Sequence, residues 1–170
     1  MNKLTLVLGG TRSGKSAYAE KLFEGVETPL YLATGTAGDG EMSERIARHR
    51  ERRGDRWKTL EEPIGLAAAL LRESRPDQPI LVDCLTLWLG NLMGGERDVA
   101  QSFDALISIL PRLKGPVVMV SNEVGWGIVP DNALARRFRD HAGELHQRVA
   151  EIADSVVLVT AGLPLTLKDG

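Results

Sequence analysis

The 170-residue chain is 43% hydrophobic and 26% charged with a net charge of −2, a composition that fits one ordinary soluble globular domain over residues 1–170. That slight acidity argues against a general nucleic-acid binder, and no run approaches the roughly 18 apolar residues of a membrane span. A single cysteine, Cys84, excludes an intramolecular disulfide, and with no room for a signal peptide ahead of the first apolar run the expected location is cytoplasmic.

The first element is the apolar run Leu4–Leu8, read as a buried strand. It leads directly into Gly9-Gly10-Thr11-Arg12-Ser13-Gly14-Lys15-Ser16, the pattern G-x-x-x-x-G-K-S, and then into a helical segment at Lys15–Phe23. Strand, glycine loop and helix in this order make a phosphate-binding loop. The glycines let backbone N–H groups face a polyphosphate, Lys15 reaches the β- and γ-phosphates, and the Ser16 hydroxyl is positioned to ligate Mg²⁺. A nucleoside triphosphate, ATP or GTP, is therefore the expected ligand.

Four further strands are expected at Pro29–Ala33, Ile80–Val82, Val117–Val120 and Val156–Thr160, separated by helical patterning at Glu41–Arg53, Ile64–Glu73, Val99–Leu113 and Leu134–Ala153. Alternation of this kind predicts an α/β fold, a mostly parallel sheet flanked by helices on both faces. The tail at 162–167 is expected to add an edge strand that tolerates Pro164. Ligands of such sheets lie beyond the carboxyl ends of the strands. Chemistry should then gather at Gly9–Ser16, Thr34–Gly40, Asp83–Thr86 and Ser121–Gly127. Asp83 ends the Ile80-Leu81-Val82 run, where a second Mg²⁺ carboxylate belongs. Cys84, inside an apolar stretch, reads as a small core residue.

Two stretches are less ordinary. Arg45, Arg48, Arg50, Arg52 and Arg53 surround His49 in the segment Glu41–Arg53. On its own this is a solvated helix laced with Glu–Arg pairs. It is equally a setting in which cations hold polyphosphate and keep an imidazole neutral and nucleophilic. His141 and His146, with Arg136, Arg137 and Arg139 near them in the last helical segment, compete for that role, and spacing alone does not choose among the three. The second stretch, Ser121–Pro130, follows a strand and carries Asn122, Glu123, Gly125, Trp126 and Gly127, a composition suited to a substrate-contacting loop or a subunit contact.

Taken together, Gly9–Ser16, Tyr31–Thr34, Arg45-Ile46-Ala47-Arg48-His49, Trp57–Pro63, Asp83–Thr86, Asn122–Pro130, Arg137–Asp140 and Gly143 make the chain resemble, over nearly its whole length, the bifunctional adenosylcobinamide kinase/adenosylcobinamide-phosphate guanylyltransferases of cobalamin synthesis. The resemblance implies a P-loop NTPase fold of RecA-like type and two reactions. The γ-phosphoryl of ATP or GTP passes to the aminopropanol hydroxyl of adenosylcobinamide. GTP then guanylylates a histidine, and the cobinamide phosphate takes up the GMP to give adenosylcobinamide-GDP. By the same resemblance the nucleophile is His49, and nucleotide-binding positions fall at Gly9–Ser16, Ala33, Thr34, Gly35, Arg50, Glu51, Arg52, Arg53, Glu61 and Asp83. Glu62 is adjacent to Glu61 and open to the same role. Family members are trimers, with small-molecule substrates and no nucleic-acid partner, and commonly carry Asn-Gln where this chain has His146-Gln147. Two other readings stand beside this one. A monofunctional P-loop kinase would leave His49 without a chemical role. A nucleotide-operated switch or nucleic-acid motor would call for a guanine-reading Asn/Thr-Lys-x-Asp motif or a broad basic surface, and the sequence contains neither.

Overall fold

A computed structural model describes residues 3–35 and 55–170. The expected helix at 41–53, with His49, Arg50, Glu51, Arg52 and Arg53, lies outside the described residues, as do 36–40. The elements are β1 (Leu4–Gly9), α1 (Lys15–Lys21), β2 (Leu30–Ala33), β3 (Lys58–Glu61), α2 (Leu66–Glu73), β4 (Ile80–Asp83), α3 (Leu85–Gly94), α4 (Val99–Ile109), β5 (Val117–Asn122), α5 (Ala133–Ile152), β6 (Ser155–Thr160) and β7 (Leu163–Asp169). They build a seven-stranded sheet in the order β3-β2-β4-β5-β1-β6-β7. Every pairing is parallel except β6 with β7.

The continuous apolar runs of the sequence become strands buried on both faces. Alternate residues of β1 divide between two cores. Leu4, Leu6 and Leu8 join Leu66, Leu70, Trp88, Phe103, Leu145 and Val149, packed by α2 to α5 on one face. Val7 joins Ala19, Phe23, Tyr31 and Trp57 beneath α1 on the other. Aromatic rings anchor each side, with Phe23 and Trp57 at 4.9 Å between centroids and Trp88 and Phe103 at 6.0 Å. Polar side chains start the two longest helices. Asp98 accepts from the Gln101 N–H, and Asn132 accepts from the N–H groups of Leu134 and Ala135.

Three features depart from the sequence expectation. The expected helix Val99–Leu113 stops at Ile109 and tightens into a 3₁₀ turn over Leu110–Arg112, because Pro111 cannot donate to the α-helical ladder. α3 was not expected. Its sequence Leu-Thr-Leu-Trp-Leu-Gly-Asn-Leu-Met-Gly is apolar on almost every side, so no amphipathic stripe marks it. β3 was not expected either, since Lys-Thr-Leu-Glu is polar and, apart from Leu60, exposed at the sheet edge. The expected edge strand is present as β7. All seven of its residues are exposed, and Pro164 sits where no neighbouring strand needs its N–H.

Trp88 ties the hidden helix to the rest of the fold, since its buried indole N–H donates to the Ile64 carbonyl at 2.8 Å. Trp88→Phe should lower the unfolding free energy by about 1–3 kcal/mol, measured by urea denaturation, because a part-buried carbonyl loses its partner.

Candidate functional site

The site lies along the carboxyl edge of the parallel sheet. Beyond β1 the chain turns through Arg12 at φ 56° and Gly14 at φ 96°, both left-handed, and enters α1 at Lys15. Backbone of this kind builds anion-binding nests. Lys15 is only 5% exposed, and its ammonium donates to the Gly10 carbonyl at 3.2 Å, which holds the charge over the loop. Gly9 has no room for a side chain. A Cβ there would lie 2.5 Å from Ser13 Oγ and 2.6 Å from the Val159 carbonyl oxygen, whereas one at Gly10 would meet nothing within 4 Å. The β6–β7 turn supports the loop from behind, with the Gly162 N–H donating to the Ser13 carbonyl at 2.8 Å.

The ends of the neighbouring strands are joined by polar contacts. The Thr34 hydroxyl accepts from the Cys84 N–H at 2.8 Å and donates to the Cys84 carbonyl at 2.7 Å, across the cis Asp83–Cys84 peptide. The Thr86 hydroxyl accepts from the Asn122 side-chain amide at 2.7 Å, linking the first turn of α3 to the end of β5. The Asn91 side chain donates to the carbonyls of Thr34 and Pro63. Asp83 is half-buried, and its Oδ2 accepts from the Tyr31 hydroxyl at 3.1 Å. Burial pushes the Cys84 thiol up to about 11, so it remains protonated and behaves as the core residue the sequence suggested.

The structure thus brings Gly9, Gly10, Thr11, Arg12, Ser13, Gly14, Lys15 and Ser16 to the same edge as Ala33, Thr34, Gly35, Glu61 and Asp83. Ala33 pairs in register with both Glu61 and Asp83. Glu62 is engaged elsewhere, its Oε1 accepting from the Ile64 and Gly65 N–H groups in the turn into α2. Ser16 and Asp83 are hard oxygen donors of the kind Mg²⁺ takes. Among the described residues no group of three or more His, Cys, Asp or Glu side chains is gathered to hold a metal by itself.

Two histidines compete with His49 in the sequence, and both lie on α5. His141 is half-exposed, with its ring edge-on to Phe103 and Nδ1 3.9 Å from Glu144. His146 is buried, with Nε2 2.7 Å from the Ser121 hydroxyl and Nδ1 3.8 Å from Glu123. Burial lowers the His146 pKa, opposed by the nearby Glu123 carboxylate. This Ser121–His146–Glu123 arrangement is absent from the sequence reading. Residues 121 and 123 flank a strand end, 146 sits in a distant helix, and no short-range pattern joins them.

Two outcomes follow. Gly9→Ala should destabilise the nucleotide-free protein by about 1–3 kcal/mol, since backbone must yield to the new Cβ. Gly10→Ala should melt within about 0.5 kcal/mol of wild type, as an ordinary surface substitution does; thermal melting compares the two. The lowered His146 pKa means the unfolded chain binds the proton more readily than the fold. The stabilisation is therefore complete above the ordinary value of 6.5 and is lost as pH falls through the folded pKa. His146→Gln should flatten the decline in Tm between pH 7.5 and 5.

Among the described residues no helix is long and apolar enough to cross a membrane. The solved structures similar in fold include an ATPase of a bacterial type III secretion system, with a TM-score of 0.56 at 11% identity, and the P4 protein of bacteriophage phi13, at 0.51 and 17%. Each is covered over 96% of this chain, and the chain spans only 56% and 53% of them, so the likeness is to a P-loop NTPase fold. Sequence relatives match end to end. The bifunctional adenosylcobalamin biosynthesis protein CobP of Pseudomonas aeruginosa is 49% identical, covering 96% of both chains. The CobU proteins of Salmonella typhimurium and Escherichia coli are 41% and 37% identical, each covering 97% of this chain and 99% of their own. The family described as cobinamide kinase / cobinamide phosphate guanyltransferase matches residues 5–167. A phosphate loop at the edge of a mostly parallel sheet, in a sequence matched along its length, makes this chain a member of the cobinamide kinase / cobinamide phosphate guanyltransferase family.

Proposed function

We propose that this chain phosphorylates the aminopropanol hydroxyl of adenosylcobinamide with ATP or GTP. It then transfers GMP from GTP, through a guanylyl-histidine intermediate, to the resulting phosphate, giving adenosylcobinamide-GDP. The observation that carries the reading is the phosphate loop with Lys15 held over the Gly10 carbonyl, in a chain of this family. Phosphoryl transfer needs chiefly positioning and charge neutralisation. Lys15 supplies one cation. Mg²⁺, held by Ser16 and Asp83, would neutralise the triphosphate further, and the Tyr31 hydroxyl keeps Asp83 oriented for that task. Thr34, fixed by its two bonds to Cys84, and the adjacent Ala33, Gly35 and Glu61 supply further nucleotide contacts on this reading. Arg50, Glu51, Arg52 and Arg53 are assigned to the nucleotide through the family motif.

In the second reaction His49 attacks the α-phosphorus of GTP, an N–P bond forms, and pyrophosphate leaves. The assignment to His49 rests on its place in Arg45-Ile46-Ala47-Arg48-His49. It is supported by the state of the other two histidines, one buried against Ser121 and one packed on Phe103 beside Glu144. The nucleotide substrates suit the cytoplasm. A homotrimer of this chain would cover apolar residues such as Trp126, 78% exposed, and Ile128, 97% exposed, on the loop after β5.

The test is incubation with α-labelled GTP and Mg²⁺, followed by alkaline denaturation, under which a phosphoramidate survives. Label should remain on wild type and be absent from His49→Ala. Equal label on both proteins would move the nucleophile elsewhere, and no label on either would leave a monofunctional P-loop kinase.

A further inference from the structure

We propose that Glu123 is the carboxylate that takes the proton from the acceptor hydroxyl during phosphoryl transfer, and that His146, braced by Ser121, is the positioning residue that orients it. The proposal rests on the kinase reading above. β5 lies between β1, which carries the phosphate loop, and β4, which carries Asp83. Asn122 ends β5 in register with Gly9, and the N–H of the following Glu123 donates to the Gly9 carbonyl at 3.0 Å. Glu123 is therefore fixed at the first glycine of the loop, one strand nearer to it than Asp83.

The side chain is held but not sealed. It is 19% exposed; Oε1 accepts from the Gly125 N–H at 2.6 Å, and Oε2 faces His146 Nδ1 at 3.8 Å. The far nitrogen of that buried imidazole is 2.7 Å from the buried Ser121 hydroxyl. A carboxylate only accepts, so the tautomer that suits both neighbours carries its proton on Nδ1, toward Glu123, and accepts from Ser121 at Nε2. Such an arrangement orients a carboxylate while leaving lone pairs for a substrate hydroxyl.

The other acids at this edge among the described residues have different work. Glu62 closes the turn into α2, Glu61 ends the outermost strand, and Asp83 receives the Tyr31 hydroxyl. Glu123 alone among them is followed directly by a residue that lines a cavity. The next residue, Val124, lines a cavity of about 570 Å³ between α3 and α5, walled by apolar groups that include Met93, Leu134 and Phe138. With Asn132 and Arg139 also in its wall, the cavity suits an apolar part of an acceptor that carries polar groups at its rim, and it opens one residue beyond Glu123.

In the step itself, the acceptor oxygen forms a bond to the γ-phosphorus while its proton passes to Glu123. The bond from the γ-phosphorus to the bridging oxygen breaks, and its electron pair leaves with the nucleoside diphosphate. Glu123 returns the proton to water once the products depart.

The experiment uses the full chain with Mg²⁺, γ-labelled ATP and adenosylcobinamide, and in parallel α-labelled GTP without corrinoid. Glu123→Gln should lower kcat for phosphoryl transfer by about 10²- to 10⁴-fold, the worth of a positioned general base, with KM for ATP and guanylyl incorporation near wild type. Added formate should restore part of the rate to Glu123→Ala, which a merely structural role would not allow. An unchanged kcat in an active Glu123→Gln, or a parallel loss of both activities, overturns the assignment while the kinase reading stands. Wild type that transfers no γ-phosphoryl to adenosylcobinamide overturns the kinase reading, and the role of Glu123 with it.

Discussion

The site depends on one constraint, the locking together of strand ends that have no side-chain bulk at their centre. Gly9 sits where even a methyl group would strike Ser13 and the Val159 carbonyl, so β1 can deliver the phosphate loop close against β6. On the other side, the Gly9 carbonyl takes the Glu123 N–H, the Thr86 hydroxyl takes the Asn122 side-chain N–H, and Thr34 clasps the Cys84 peptide. The contacts run from the end of β1 through β5 and the first turn of α3 to Cys84 after β4 and Thr34 after β2. Buried polar groups are costly when unpaired and rigid when fully paired, so this chain of contacts fixes the edge on which the ligands must land.

The two faces of the sheet serve that edge differently. Beneath α1 the core is small and aromatic, with Phe23, Tyr31 and Trp57 packed together, and its outermost polar group is the Tyr31 hydroxyl directed at Asp83. The opposite face carries the larger core and, among the described residues, α2 to α5. There α3 and α5 stand far enough apart at their ends to leave open the cavity bordered by Val124. The sheet thus has a small aromatic core on one side and a large core with an open cavity on the other, and both reach the edge where Gly9 and Glu123 are joined.

Much of this was legible in the sequence because the signals were local. Gly9 to Ser16 is a contiguous motif, and the continuous apolar runs announced buried parallel strands with their order of helices. Even Pro164 fitted its edge position. α3 was illegible because a helix buried on most sides loses the polar face that betrays periodicity, and β3 because an exposed four-residue edge strand has no apolar pattern to show. Glu123 was legible as a polar member of an unusual loop suited to contacting a substrate or another subunit. Its partner His146 lies 23 positions away in another element, so their meeting depends on where α5 crosses β5 and on nothing written near either residue. The family relationship fixes the reaction pair, and the residues assigned to it divide between those the edge brings together and the 49–53 segment, known through sequence alone.

The β6–β7 turn ties the phosphate loop to the sheet's last strand. Gly162 donates to Ser13, and a Cβ on Gly14 would come within 3.1 Å of the Gly162 Cα. The same hairpin displays Leu163, Leu165 and Leu167, all more than half exposed. A turn near the end of the chain therefore holds the backbone of a loop near its start, so that loop gains its full support only once the two ends of the chain have come together in the sheet.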